Sequence, residues 1–179
     1  YAVPPSAAVD ASYFADAIFL GDSITTGIPL YHVADNAAVV AATGINPDNI
    51  NTKACIKVQG VEPQEGEEEP RVTILEAAAQ YAPRKKVYIM LGGNGLGFDT
   101  QTFLAGYKRF LDSVKGLFPE AVIYLQSITP VVDGYVNEIL PELNNELINT
   151  YNQEIMEFAR REGVYYLDVA SALKDETGA

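Results

Sequence analysis

Three functional groups that acyl transfer requires follow three short apolar runs of the sequence. Ser23 comes just after a run that ends at Gly21, Gly44 ends a second run, and Asn94 lies between glycines after a third. A serine hydroxyl is a potential nucleophile. A backbone N–H and a side-chain amide can donate hydrogen bonds to the oxyanion of a tetrahedral intermediate. These residue types predict an acyl-transfer site built from Ser23, Gly44 and Asn94.

Each of the three residues also has a simpler interpretation. Ser23 precedes a predicted helix over residues 25–31, so its simpler role is that of an N-cap. In the functional interpretation its N–H points at the site, where the positive end of the helix dipole also favours an anion. Gly44 can be only a turn residue, and Asn94 only a turn former. The residues by themselves leave these interpretations open.

The elements that position these groups are predicted from apolar runs and helical periodicity. Short apolar runs predict buried strands at 17–20, 37–43, 86–91, 122–126 and 164–167. Apolar spacing predicts helices at 73–82, 99–117 and 141–162; Thr73 and Glu76 form a capping box, and Gly163 ends the last helix. Strands that alternate with helices predict an α/β fold with a central parallel five-stranded sheet and helices on both faces. Ligands bind beyond the carboxyl ends of such strands, where the three groups would meet.

Length and composition predict one domain over residues 1–179, with an irregular lead-in at 1–11. The net charge of −12 argues against nucleic acid or an anionic membrane as a partner. No apolar run reaches the ~18 residues of a membrane span.

The acidic segment 61–70 is interpreted as a solvated loop, since it lacks the spaced pattern of a calcium loop. Cys55 is the only cysteine, so it is either a buried inert thiol or a reactive thiol activated by Lys53 and Lys57.

Several rival motifs are excluded by spacing. The glycines at 93 and 95 lack the third glycine of a dinucleotide fingerprint, and they do not lie in the first strand–helix unit. No glycine cluster is followed by the lysine of a phosphate-binding loop. Ser23 is followed by Ile24 and Thr25, so the Gly-x-Ser-x-Gly elbow is absent. No cofactor or metal is therefore expected.

The segment Phe19 to Thr25 (FLGDSIT) resembles the first block of the GDSL/SGNH hydrolases. The glycine of the family's second block matches Gly44. Its third block, Gly-x-Asn-Asp, matches residues 92–94, with Gly95 in place of the final acid. The runs 127–130, 151–152 and 166–169 are also similar, so the resemblance extends over residues 17–170.

The resemblance implies a three-layer flavodoxin-like fold and ester hydrolysis. It implies that Ser23 is the nucleophile and that its N–H, the Gly44 N–H and the Asn94 amide form the oxyanion hole. Asp22 is expected to hold the turn by bonding to nearby backbone N–H groups. The expected substrates are O-acyl esters, acetyl above all, of carbohydrates or small molecules.

The sequence departs from the family at the general base. The family's Asp-x-x-His block is not found, and the only histidine is His32, which the predicted helix should carry away from Ser23. Asp168 ends the fifth strand but precedes the expected position of that block, and Asp175 and Glu176 are interpreted as solvated charges. Truncation of the sequence is the favoured explanation, ahead of a natural pseudoenzyme.

Two alternative functions remain open. One is a catalytically inactive domain that binds acylated glycan or cell-wall material, and the other is a flavodoxin-like cofactor binder. The chain begins at Tyr1 rather than Met, so a secreted or cell-surface bacterial enzyme is expected, although a cytoplasmic one fits nearly as well.

Overall fold

The computed structural model of the protein describes residues 2–63, 66–132 and 134–174. The strands of the described residues are, in chain order, β1 (Ala17–Gly21), β2 (Ala38–Ala41), β3 (Ile56–Lys57), β4 (Arg71–Val72), β5 (Lys86–Met90), β6 (Val122–Gln126) and β7 (Tyr165–Leu167). Five of them form a parallel sheet in the order β2-β1-β5-β6-β7. The predicted α/β fold with a parallel five-stranded sheet is confirmed.

The interior position of β1, between β2 and β5, explains its sequence. All five of its residues are buried, because helices or loops cover both faces of the sheet there. In a strand buried on both faces the side chains that point to either face are apolar, so its sequence is a continuous apolar run.

The α-helices of the described residues are α1 (Gly27–Leu30), α2 (Ile74–Ala79), α3 (Thr100–Leu117), α4 (Asn145–Glu162) and α5 (Val169–Leu173). The predicted capping box of α2 is present, since Thr73 Oγ1 accepts from the Glu76 N–H and the Glu76 carboxylate accepts from the Thr73 N–H. Gly163 ends α4 in the left-handed conformation, as predicted. The start predicted at residue 141 is wrong, because Asn144 caps α4 by accepting from the Leu147 N–H at 2.8 Å.

The helix predicted over 25–31 is also shorter than expected. The N–H groups of Gly27 and Ile28 bond three residues back, so residues 22–26 form successive turns before the single α-helical turn of α1. Gly27 and Pro29 are weak formers of a helix interior, which accounts for the difference. The N-cap of α1 is Thr26, so the interpretation of Ser23 as an N-cap is wrong.

The two faces of the sheet are covered differently. Helices α2, α3 and α4 pack on one face and bury the main core with residues such as Phe103 and Phe158. The other face presents Phe19, Tyr88 and Tyr124, stacked with ring centroids 4.7 and 4.8 Å apart. A 3₁₀ turn and α1 pack against this row, so helices surround the sheet and the layered arrangement agrees with the prediction.

A short antiparallel ribbon of β3 and β4 was not predicted from the sequence. It is held by Glu69, whose carboxylate lies 2.7 Å from Lys57 Nζ and 3.6 Å from Arg71 Nη2. The loop between the two strands includes the acidic segment, in which residues 64 and 65 lie outside the described part. Among described residues, no group of three or more His, Cys, Asp or Glu side chains is arranged to hold a metal ion.

Two residues of the lead-in predicted at 1–11, Ala2 and Val3, lie along the edge strand β7. The Val3 N–H donates to the Tyr166 carbonyl at 2.8 Å, and Ala2 pairs in parallel with Tyr166. Asp175 and Glu176 lie outside the described residues. Across the part of the chain that is described, no helix has both the length and the apolar character needed to cross a membrane.

Candidate active site

Ser23 lies in the turn directly beyond β1. The turn is so tight that a Cβ on Gly21 would collide with the Thr25 side chain and the Met90 carbonyl. Ser23 is exposed, and within the described residues its hydroxyl has no hydrogen-bond partner. Its carbonyl accepts from Thr26 Oγ1 at 2.6 Å. The fold thus fixes the backbone of Ser23, and its exposed hydroxyl makes no hydrogen bond to the part of the chain that the structure describes.

Gly44 lies beyond β2 in a conformation that favours glycine. Its φ is +71°, in the left-handed region. Its carbonyl accepts from Asn49 Nδ2 at 3.0 Å, so the peptide on its C-terminal side is held by the following turn. Asn49 was not identified from the sequence, although the segment Asn46-Pro47-Asp48-Asn49 has the composition of a turn.

Asn94 lies beyond β5, in a 3₁₀ turn over Gly93–Gly95. Its Nδ2 donates to the Ile45 carbonyl at 3.0 Å. A side-chain amide has two N–H groups, so the second one remains available to an oxyanion. This bond ties the Asn94 side chain to the residue that follows Gly44.

The structure therefore brings the three predicted residues to one edge of the sheet. In the sheet β1 lies between β2 and β5, and Gly21 pairs with Ala41 on one side and Met90 on the other. Ser23, Gly44 and Asn94 follow these three neighbouring strands at their carboxyl ends. The roles of the three residues as nucleophile and oxyanion donors remain predictions.

Gly95, which stands where the related block has an acid, has a steric explanation. A Cβ at this position would lie 3.0 Å from Pro47 Cδ and 3.1 Å from two carbons of the Phe103 ring. Gly95 is buried, so an acid here would also lose its hydration. Pro47 and Phe103 thus occupy the space that a side chain would need.

Replacing Gly95 with aspartate is expected to lower the free energy of unfolding by about 2 kcal/mol or more, since it overpacks the site and buries a carboxylate. The measurement is urea unfolding. Gly116→Asp is the matched control, because a Cβ at that helical position meets no atom within 4 Å. Equal stability of the two variants would contradict the steric explanation.

The loop after β6 is fixed by two buried polar side chains. The Asn152 amide donates to the Ile128 carbonyl at 3.0 Å and accepts from the Ile128 N–H at 2.7 Å. Ser127 Oγ accepts from the Ala170 N–H at 2.8 Å. The runs 127–130 and 151–152, which resemble the family in sequence, therefore act together to hold this loop beside the site.

A small cavity lies under the turn that carries Ser23, on the side of β5 and β6, and it is lined by the two chain neighbours of Ser23 rather than by Ser23 itself. Its volume is about 20 Å³, and its lining includes Asp22, Ile24, Gly93, Ile128 and Thr129. That is room for one group the size of a water molecule or a methyl.

Asp22 is buried beneath the site, and it holds the turn as predicted. Its Oδ1 accepts from the Ile24 N–H at 3.0 Å. Burial raises the pKa of Asp22 to about 6, although the hydrogen bond from Ile24 lowers it. The ionised carboxylate is therefore less favourable in the folded protein than in water.

This raised pKa predicts a pH dependence of stability. Between pH about 4 and about 6 the folded state binds the Asp22 proton more tightly than the unfolded state, so the contribution of Asp22 to stability falls as pH rises through this window. The loss is about 3 kcal/mol when complete. Asp22→Asn keeps the acceptor for Ile24 and removes the ionisation. We expect the stability of this variant relative to the wild type to rise by most of that amount from pH 4 to pH 7 in urea unfolding. A pH-independent difference would contradict the raised pKa.

The other candidate groups lie elsewhere or are already engaged. The His32 ring is largely exposed, and its Nδ1 lies 3.0 Å from Asp35 Oδ1. Both oxygens of Asp168 bond to Ser171 and cap α5, at 3.0 Å to the N–H and 2.6 Å to the hydroxyl. Among described residues, neither group makes a contact with Ser23.

Cys55 is half-buried. Burial raises the pKa of its thiol, and the nearby charges of Lys53 and Arg71 lower it by less. This balance supports the inert interpretation of the thiol over the reactive one.

Comparison with known proteins gives a family and a set of related folds. The model of the GDSL-like Lipase/Acylhydrolase family matches residues 19–179. A GDSL-like lipase from Bacteroides thetaiotaomicron is similar in structure, with a TM-score of 0.59 and 12% identity over 90% of this chain and 72% of that one. An extracellular lipase from Streptomyces rimosus gives a TM-score of 0.54 at 16% identity, covering 87% of this chain and 80% of that chain.

A family two carbohydrate esterase from Clostridium thermocellum, solved in complex with cellohexaose, is also similar. The TM-score is 0.51 at 19% identity, over 85% of this chain and 53% of that chain, so this chain spans about half of that protein. At these identities the likeness concerns the fold. A search of curated protein sequences gives no match.

Proposed function

The chain belongs to the GDSL-like lipase/acylhydrolase family, and we propose that it is a serine ester hydrolase that acts through an acyl-Ser23 intermediate. The observation that supports this most is the arrangement around Ser23. Within the described residues the Ser23 hydroxyl has no hydrogen-bond partner, and the Asn94 amide donates at 3.0 Å to the carbonyl of Ile45, the residue after Gly44. An attacking oxygen and converging donors are what acyl transfer needs.

In this reaction Ser23 Oγ bonds to the carbonyl carbon of the ester, and the carbonyl oxygen becomes an oxyanion. The N–H groups of Ser23 and Gly44 and the free N–H of Asn94 stabilise that charge. The bond to the alcohol then breaks, and the hydroxyl proton passes to the alcohol through a base. Water hydrolyses the acyl-Ser23 ester, which releases the acid and restores the hydroxyl.

We propose acetyl as the acyl group. The cavity lined by Asp22 and Ile24 has a volume of about 20 Å³, which matches a methyl group. The alcohol is proposed to be a carbohydrate or another small molecule. The likeness to a carbohydrate esterase solved with cellohexaose supports this class.

The proposal is tested by acetate release from acetylated oligosaccharides by the full natural chain. We expect release from acetyl esters and at least tenfold slower hydrolysis of the matching butyryl esters, because each further methylene has no space in the cavity. Faster hydrolysis of the longer acyl group would overturn the acetyl assignment.

The position of His32 supports a second candidate, binding of acylated glycan without turnover. The only histidine of the sequence bonds to Asp35 on the exposed turn after α1. A serine hydroxyl without a base is a weak nucleophile. Tight binding of an acetylated oligosaccharide by the full natural chain without acetate release would favour this candidate.

His32 bonds to Asp35 on the exposed turn after α1, so His32→Ala is expected to change ester hydrolysis by less than about twofold. Removal of a true general base costs on the order of 10⁶-fold in a well-studied serine protease. The measurement is kcat/KM for p-nitrophenyl acetate. A large loss on replacing His32 would identify it as the base and contradict the expectation that the base lies elsewhere.

A further inference from the structure

We propose that Lys53 binds a carboxylate on the alcohol part of the ester, so that the substrate is an acetylated acidic carbohydrate of the uronate type. This inference rests on the proposed function. It assigns Lys53 the role of a specificity-determining residue rather than a catalytic one.

Lys53 is held on the same turn as Gly44. Asn46 Oδ1 accepts from the N–H groups of Asp48 and Asn49, each at 3.0 Å, and this closes the turn. Asn49 then donates from Nδ2 to the Gly44 carbonyl at 3.0 Å, and its own carbonyl accepts from the Lys53 N–H at 2.9 Å. The backbone of Lys53 is therefore fixed relative to Gly44.

The ammonium of Lys53 lies next to Gly44. Its Nζ is 3.7 Å from the position that a Cβ on Gly44 would take. With standard bond lengths this places Nζ within about 7 Å of the Gly44 nitrogen, the proposed oxyanion donor. Because Gly44 has no side chain, no side-chain atom of that residue lies between the ammonium and the site.

Lys53 has no anionic partner within the described residues. The chain has 24 acidic and 12 basic side chains, and most of the basic ones form ion pairs, as Lys57 does with Glu69 and Lys86 with Asp16. Lys85, Arg161, Arg84 and Lys174 also form no ion pair among the described contacts. Arg84 instead donates to the Tyr81 and Ala15 carbonyls, and Lys174 donates to the Asn149 amide oxygen. Lys85 precedes β5 and Arg161 lies in the last turn of α4, so neither follows a strand at the carboxyl edge where Ser23 lies. Among the described residues, Lys53 is an unpaired cation beside the candidate active site of an acidic protein.

The position of Lys53 indicates which part of the ester it meets. The methyl-sized cavity lies on the side of β5 and β6, with Gly93, Ile128 and Thr129 in its lining. Gly44 and Lys53 lie on the opposite side, beyond β2. An acetyl group in the cavity leaves the alcohol part of the ester outside it, where a carboxylate within reach of Lys53 can pair with the ammonium.

The test compares two substrates that differ only in charge. The mono-O-acetyl esters of methyl glucuronoside and of its uronamide have nearly the same shape and the same leaving alcohol. Acetate release by the full natural chain gives kcat/KM for each. We expect Lys53→Met to lower the ratio of acid to amide roughly three- to tenfold, as for one partly exposed ion pair. Lys53→Arg should restore most of the ratio, and high salt should weaken it in the wild type.

Lys85→Met is the matched control, since among the described contacts Lys85 forms no ion pair, and it lies at the amino end of β5. An unchanged ratio in Lys53→Met would overturn the proposal. So would an equal loss for both substrates, because the ammonium would then act on the oxyanion and not on the alcohol.

The proposed function can fail separately. If the wild type releases no acetate from either ester, calorimetric binding of the same two compounds to the wild type and to Lys53→Met replaces the assay. If the wild type binds the acid more tightly than the amide and Lys53→Met loses this preference, the proposed role of Lys53 is supported even without hydrolysis. Equal affinities for acid and amide would overturn it.

Discussion

Replacing Ser23 with alanine is expected to lower the hydrolysis of p-nitrophenyl acetate by the full natural chain at least about 10³-fold, to the rate in solvent. The variant loses the attacking oxygen and keeps every donor that binds the substrate. Ser23 is exposed and its hydroxyl has no partner within the described residues, so the fold should not change. The free energy of unfolding is expected to stay within about 0.5 kcal/mol of the wild type.

Ser113→Ala is the control for this experiment. Ser113 is an exposed serine on α3 whose hydroxyl donates to the Arg109 carbonyl at 3.1 Å, far along the chain from the site. Its replacement should leave hydrolysis unchanged. Hydrolysis that persists in Ser23→Ala would show that the ester is cleaved by another group, and the assignment of the nucleophile would fail.

The second large effect is expected for Asn94. Its replacement by alanine removes the amide that is proposed to bind the oxyanion, and loss of one such donor costs about 10²–10³-fold in kcat. Because the oxyanion forms only in the transition state, KM should change by less than about threefold. Steady-state kinetics with p-nitrophenyl acetate give both values.

The Asn94 amide also bonds to the Ile45 carbonyl, so the variant needs a structural control. Loss of one hydrogen bond at this partly exposed site should lower the free energy of unfolding by about 1 kcal/mol. Asn149→Ala, which removes an exposed amide on α4, is the matched variant for activity. A rise in KM with unchanged kcat would indicate that Asn94 binds the substrate and not the transition state.

The strands and long helices could be predicted because their sequence patterns follow directly from burial. Strand β6 has the predicted bounds of 122–126. The helix predicted over 99–117 is α3, which covers Thr100–Leu117 with Asp99 as its N-cap. A strand covered on both faces is apolar throughout, and a helix with one buried face repeats every three to four residues. These signals are local, so one sequence is sufficient to read them.

Two elements could not be predicted, because they leave no local pattern in the sequence: the ribbon of β3 and β4, and the short α1. Each strand of the ribbon has two residues, and Glu69 stabilises it by pairing with residues on both strands. Such contacts depend on the fold and leave no period in the sequence. The turns over 22–26 likewise depend on how Gly21 packs against Thr25 and Met90.

At the site, the sequence predicted the candidate residues and the role of Asp22 in holding the turn, but it did not predict Asn49 or Lys53. Ser23, Gly44 and Asn94 stand out because they follow apolar runs. Asn49 and Lys53 lie in an irregular segment, and their relation to Gly44 arises from side-chain hydrogen bonds within one turn. Their positions became visible only with the structure.

The central claim is that Ser23 is the nucleophile, and covalent labelling of the full natural chain with di-isopropyl fluorophosphate tests it most directly. The reagent transfers its phosphoryl group to an activated serine hydroxyl with loss of fluoride. We predict one phosphoryl group per chain, located by peptide mass spectrometry on Ser23, with hydrolysis lost in proportion to labelling and no label in Ser23→Ala. Labelling at another residue, or an unlabelled Ser23 in a chain that still hydrolyses esters, would contradict this claim.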